Sequence, residues 1–173
     1  MPFPWLPGML ITDTRLNEGA MQLVTQASDQ IVTNSTAYVN SQITFTPAVN
    51  AVYAYWLLIS YSAHESADFR WRWDAPQADF ASFTQARHTD ATGTFNAPAS
   101  VIFRRPANST DRIAGGGGTT DISSFFSAYD QGTFITTSSP AAVTMQFTQY
   151  TANTGQTILR GGNQTRMLYQ RIG

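Results

Sequence analysis

The stretch AVYAYWLLISY (residues 51–61), followed by SAHESAD (62–68) and FRWRWD (69–74), decides the fold class of this chain. Val52 to Tyr61 is apolar on both alternating sets of positions. Tyr53, Tyr55, Leu57, Ile59 and Tyr61 share one face, and Val52, Ala54, Trp56 and Leu58 share the other. Successive side chains of a strand point to opposite faces, so a strand with two apolar faces calls for cover on both. Residues 69–74 alternate cleanly, with Phe69, Trp71 and Trp73 opposed to Arg70, Arg72 and Asp74. The polar link between the two runs predicts a hairpin with a longer loop. Three of the four tryptophans fall in this unit, which marks it as the core of a β-structure.

The same period-2 pattern continues outward. Weak strands are expected at Gln30–Thr33 and Gln42–Thr46, and a short one around Phe80 and Phe83. Others are expected at Ala99–Arg105, Ser123–Tyr129, Thr133–Thr137 and Val143–Tyr150. Thr157–Arg160 and Thr165–Ile172 read as a closing hairpin across Gly161, Gly162 and Asn163. Residues 84–99 read as a long loop or edge, and Asn108–Thr120, with Gly115 to Gly118, as a flexible element. Toward the N-terminus, Thr12 or Asp13 as a cap and Leu16, Ala20, Leu23 and Val24 at helical spacing predict a short helix over residues 13–24. The expected architecture is all-β: an antiparallel β-sandwich of jelly-roll type over residues 27–173, preceded by an arm and short helix over residues 1–26.

At 173 residues the chain suits one domain with a substantial core. Charged residues make up 12%, against roughly 25% in ordinary globular domains, and all ten basic residues are arginine. A net charge of −1 gives no field for nucleic acid or acidic lipid. With no cysteine, neither a disulfide framework nor thiolate ligation is available. The N-terminus MPFPWLPGML lacks the basic start and long apolar core of a signal peptide. Val52–Ile59 falls far short of the ~20 residues of a membrane helix.

Few residues invite chemistry. His64, Glu65 and Asp68 form one small cluster and His88 and Asp90 another, but neither has a metal-ligand spacing. The glycine run lacks the GK[ST] ending of a phosphate loop. No serine sits in a nucleophile elbow, and the scattered aspartates do not form a calcium loop. Arg70 and Arg72 interleave with tryptophans, but the alternation turns the rings inward and the guanidinium groups outward, away from a base-stacking arrangement. Asn34, Asn108 and Asn163 begin glycosylation sequons of the kind a Ser/Thr-rich chain produces by chance. No catalytic residue, cofactor or metal is expected.

The proline-rich arm is the other notable feature. Pro2, Pro4 and Pro7 exclude regular structure, yet Phe3, Trp5, Leu6, Met9 and Leu10 are strongly apolar. Such an arm is expected to dock, on its own sandwich or on a neighbouring subunit, and these five residues are its anchoring candidates. Tyr53, Tyr55, Leu57 and Ile59, with Leu168 and Ile172 of the closing strand, are the candidates for an oligomer interface.

The opening WLPGMLITDTRLN, the central YWLLISY, ADFRWRWDAP, VTMQFTQYTANTGQTILRGG and the closing RMLYQRIG resemble a β-rich family of small structural proteins in tailed phages of actinobacteria. The resemblance spans most of residues 5–173, departing where Gly-Asn-Gln replaces a Gly-Ser pair. It implies a non-enzymatic virion protein, assembled in the host cytoplasm and placed on the virion surface. Its partners would be itself, as a homotrimer, and the major capsid protein or tail proteins. The leading expectation is a trimeric capsid decoration protein. The alternative is a minor tail or fibre protein that binds a host-surface receptor or glycan through Phe80, Phe83 and Phe95. A cell-wall hydrolase, a third reading, finds no supporting constellation.

Overall fold

Half of β4 (Val52–Ala63) is dictated by burial: Tyr53, Tyr55, Leu57, Ile59 and Tyr61 are all sealed in the interior, at 6% exposure or less. The computed structural model describes residues 7–76, 78–88, 100–105, 112–114 and 125–173. In chain order the elements are α1 (Asp13–Gly19), β1 (Gln22–Thr25), β2 (Gln30–Thr33), β3 (Val39–Phe45), β4, β5 (Phe69–Asp74) and β6 (Ala78–His88). They continue with β7 (Ser100–Arg105), β8 (Arg112–Ala114), β9 (Phe126–Thr136), β10 (Val143–Gln149), β11 (Gln156–Leu159) and β12 (Arg166–Arg171). Among the described residues the fold is all-β apart from the seven-residue α1, and the strand pairs are antiparallel.

Two sheets form. The larger runs β1-β12-β4-β9-β6-β7, with β11 on β4 and β2 on β11; the smaller runs β3-β10-β5-β8. The eight strands from β3 to β10 pair like a ribbon folded at its middle: β3 with β10, β4 with β9, β5 with β8 and β6 with β7. Between the sheets lies an aromatic core. Phe45 of β3 stacks on Tyr169 of β12 at 4.1 Å, Phe69 of β5 on Tyr61 of β4 at 4.5 Å, and Trp73 meets Tyr55 edge-on at 5.4 Å. Each such pair adds about 0.5–1.5 kcal/mol beyond the area it buries. The inward residues of β10 (Val143, Met145 and Phe147) complete the layer.

Several expectations change. Residues 51–74 are not a hairpin, because β4 and β5 belong to different sheets and face each other across the core. Asp68, in the left-handed region at φ 54, turns the chain from one sheet to the other, and the Ala67 and Asp68 N–H groups both donate to the His64 carbonyl. The predicted helix over 13–24 stops at Gly19, since Leu23 and Val24 belong to β1, paired with Leu168 and Met167. The sheet thus begins at Gln22, N-terminal of the boundary drawn at residue 27. Residues 84–88, read as a loop or edge, continue β6 between β9 and β7, and β8 lies within the stretch read as flexible. The runs around Gly132 are one strand, because Gly132 pairs Tyr55 on one side and Phe83 on the other.

The closing segment is likewise no hairpin. β11 and β12 lie end to end along the same edge of β4, with Leu159 opposite Tyr61 and Arg166 opposite Leu58. They amount to one long antiparallel partner of β4, interrupted by an excursion over residues 160–165. Asn163, at φ 63, makes its turn.

Candidate functional surfaces

The outward face of the larger sheet carries the uncovered half of β4. Trp56 and Leu58 are 37% and 41% exposed, whereas their neighbours Leu57 and Ile59 are 0% and 2%. Register aligns Leu23 of β1 with Leu168 of β12, and Leu168 with Trp56, in a row across three strands. Leu23 is exposed and Leu168 half-buried. Of the residues assigned to an interface, Tyr53, Tyr55, Leu57 and Ile59 therefore cannot serve: they point into the core, where the facing sheet already covers them. Leu168 does lie on the outward face. Ile172 is half-buried, and its N–H donates to the Val52 carbonyl. Sequence alternation identified two apolar faces but could not say which one the second sheet would take.

The outward face of the smaller sheet is polar. Arg70 and Arg72 both lie over the Tyr38 ring, at 4.8 and 4.0 Å from its centre. Arg72 Nε donates to Gln146 Oε1 at 2.8 Å, and Gln146 Nε2 donates to Asn40 Oδ1 at 2.7 Å and Asp74 Oδ2 at 3.3 Å. The arginines thus stand outside the core as their alternation predicts, held by a ring and an amide ladder.

A third feature, read in the sequence only as a hairpin turn, is the excursion between β11 and β12. Gly161 N–H donates to Asp29 Oδ1 at 2.7 Å, and Arg160 Nη1 donates to Asp29 Oδ2 at 2.9 Å. Arg160 also donates through Nε and Nη2 to Ser62 Oγ and lies over the Phe125 ring at 4.5 Å. The Gly161 N–H, and then the Arg160 guanidinium against a partial opposing effect of burial, hold the Asp29 carboxyl below its ordinary value of 3.8. A folded-state pKa that is depressed stabilises the fold above the unfolded value and loses that contribution as pH falls through the folded one. Stability should therefore drop modestly below about pH 4, and Asp29→Asn should lack that component when melting temperature is followed against pH. The effect is small because Asp29 is 43% exposed and its ion pair is screened.

An open pocket of about 390 Å³ lies at one end of the sandwich, lined by Asn17 of α1, Gln22, Thr46, Tyr53, Tyr169 and Arg171. Gln22 Nε2 donates to the Asn17 and Ala20 carbonyls, and Gln170 Nε2 donates to that of Gly19, so the end of α1 is fixed against β1 and β12. Burial, with a lesser contribution from Tyr53, raises the Tyr169 phenol above 10.0.

The remaining candidates do not assemble. His64 Nδ1 accepts from the Ser66 N–H at 3.1 Å inside the turn that carries Glu65 and Asp68, and among the described residues no group of three His, Cys, Asp or Glu can hold a metal. His88 and the tail-reading aromatics Phe80 and Phe83 lie on β6 with side chains outside the described ones; Asp90, Phe95 and Gly115 to Gly118 lie outside the described residues. So do Phe3, Trp5 and Leu6 of the arm, while Met9 and Leu10 are 38% and 76% exposed. Among the described residues no helix is long and apolar enough to cross a membrane.

No protein-family model matches the chain, and no curated protein matches it. Among solved structures, one of infectious bursal disease virus, Gx strain, is 9% identical over 89% of this chain, with a TM-score of 0.23. The VP2 subviral particle of infectious bursal disease virus is 10% identical over 99% of it, with a TM-score of 0.22. This chain spans 37% and 41% of those two chains. Likenesses at such scores carry no argument for fold or function.

Proposed function

We propose that the chain is a non-enzymatic virion structural protein, a homotrimer that decorates a capsid surface, built on a jelly roll. The observation that carries this reading is the row Leu23, Leu168 and Trp56, continued by Leu58, left uncovered on a chain with 12% charged residues. Contiguous exposed apolar surface marks interaction sites, and a closed oligomer is the simplest way to cover a repeated patch. The folded-ribbon pairing of β3 to β10 supports the jelly-roll assignment, an architecture used by viral capsid and lectin domains. Fold alone does not assign function, so the resemblance to phage structural proteins adds the virion.

In this reading the arm, through Phe3, Trp5, Leu6, Met9 and Leu10, attaches the subunit to a neighbour in the particle. Each large apolar side chain so buried contributes on the order of 1.5–3 kcal/mol before ordering costs. Sedimentation of the wild type at micromolar concentration should show a trimer, and deletion of residues 2–10 should abolish incorporation into virions. A monodisperse monomer, or wild-type occupancy by the truncated chain, overturns the reading. A second reading, a minor tail or fibre protein that binds host-surface glycan, is favoured by the polar face on which Arg70 and Arg72 lie over the Tyr38 ring and Gln146 bridges Asn40 and Asp74. Copy number per particle separates the two.

A further inference from the structure

The two outward faces of the sandwich are chemically opposite, and the polar one holds an arrangement that the core does not require. Arg70 and Arg72 gather at one ring, their guanidinium carbons 4.8 and 4.0 Å from the centre of Tyr38. Like charges brought together repel, and the ring offsets only part of that. Asp74, the carboxylate on the same face of β5, accepts from Gln146 Nε2 at 3.3 Å. Among the described residues no carboxylate lies within ion-pair distance of Arg72. Arg72 is exposed and yet fixed, by its ring contact and by the bond from Nε to Gln146 Oε1 at 2.8 Å. Its terminal nitrogens Nη1 and Nη2 donate to no described acceptor. A planar fork open at that end matches the two oxygens of a carboxylate, and one already held loses little entropy on binding.

The surroundings indicate what bears that carboxylate. The side-chain amides of Asn40 and Gln146 and the paired hydroxyls of Thr44 and Thr144, 2.8 Å apart, lie on the same face. Tyr150, 46% exposed, stands beside Arg70, whose guanidinium carbon is 5.9 Å from the ring centre. Amides and hydroxyls both donate and accept, as a ligand rich in hydroxyl groups demands, and an exposed ring offers its apolar face to a sugar. We propose that Arg72, with Arg70 and Tyr150 beside it, seats the carboxylate of an acidic polysaccharide. The inference rests on the glycan reading of this face and adds the charge of the sugar and the residue that reads it. A single exposed ion pair binds weakly, but the copies of an oligomer on a repeating polymer act together.

The test measures binding of the full-length chain to immobilised polygalacturonate. Methyl-esterified polygalacturonate is the same polymer without its charge, and dextran sulfate is a polyanion without carboxylates. The wild type should bind polygalacturonate and lose about tenfold in apparent affinity on the esterified form. Arg72→Lys keeps the charge but not the fork and should lose about as much, with its circular dichroism unchanged because the side chain is exposed. Equal binding to the esterified polymer, or wild-type binding by Arg72→Lys, overturns the proposal and leaves the glycan reading standing. Binding to dextran sulfate as tight as to polygalacturonate shows attraction by charge alone and overturns it too. Retention on none of the three overturns the proposal and the glycan reading together.

Discussion

Leu57→Arg is expected to unfold the domain, whereas Trp56→Arg, one residue away, should leave it folded and dissociate the proposed homotrimer. Leu57 is fully buried between the sheets, where a guanidinium displaces tightly packed side chains, and the carboxylate opposite it, Asp130 of β9, already accepts from Tyr55 Oη at 3.0 Å. Overpacking and a charge buried there together cost about 4–5 kcal/mol or more, against a total stability of roughly 5–15 kcal/mol for a domain. Trp56 points the other way and is already 37% exposed, so arginine can extend into solvent. In an assembled interface, however, three copies of that charge would meet a dry apolar row. Circular dichroism and sedimentation on the two variants give opposite patterns. If both unfold, or if Trp56→Arg keeps the wild-type mass, the outward row is not the interface.

Gly161→Ala should be nearly as damaging, by a different route. A methyl group at Gly161 would overlap the Ser28 backbone and sit 2.6 Å from the Asp29 nitrogen. Backbone cannot swing aside as a side-chain tip can, so the excursion must lift away from residues 26–29. It would strain the bonds from Gly161 N–H to Asp29, from Gly162 N–H to the Ala27 carbonyl at 2.9 Å and from Gln26 N–H to the Thr165 carbonyl at 2.9 Å. Overpacking and the strained bonds together amount to about 3 kcal/mol or more. Gly162→Ala is the internal control. It meets no atom within 4 Å and suffers only from its φ of +60, a cost of about 1 kcal/mol. Urea titrations that rank Gly162→Ala as the worse variant would refute this account.

What could be read in the sequence was local. Alternation located β4, β5 and β10, and Asn163 and Gly162 marked a turn, because both signals depend only on neighbours in the chain. Sheet membership was not legible. FRWRWD pairs with residues 144–149, some seventy positions away, rather than with the apolar run just before it. The same limit put Tyr55 and Leu57 at an interface, since two equally apolar faces give no sign of which one a distant strand will cover. β8, with three residues, was too short to show a period, and Leu23 and Val24 suit helix and strand patterns equally. The pocket was invisible for a related reason: Asn17, Thr46, Tyr53 and Tyr169 meet only once β12 has returned beside β4.

The side of the sandwich where β1 and β3 run close is stitched by glutamines. Gln26 Oε1 accepts from the Gln42 N–H at 2.9 Å, and Gln42 Oε1 accepts from the Ala27 N–H. Gln26 Nε2 reaches the Ser28 carbonyl and Gln30 Oε1, both at 2.8 Å, and Gln30 Nε2 reaches the Asn40 carbonyl at 3.1 Å. These side chains occupy backbone groups that an incoming strand would otherwise use, which protects two edges from intermolecular pairing. Lysines and glutamates often do that work by repulsion, which fades as salt rises. Neutral amides have nothing to screen and nothing to titrate. The bonds these amides make therefore keep their strength from dilute buffer to brine, unlike the Arg160–Asp29 ion pair beside them.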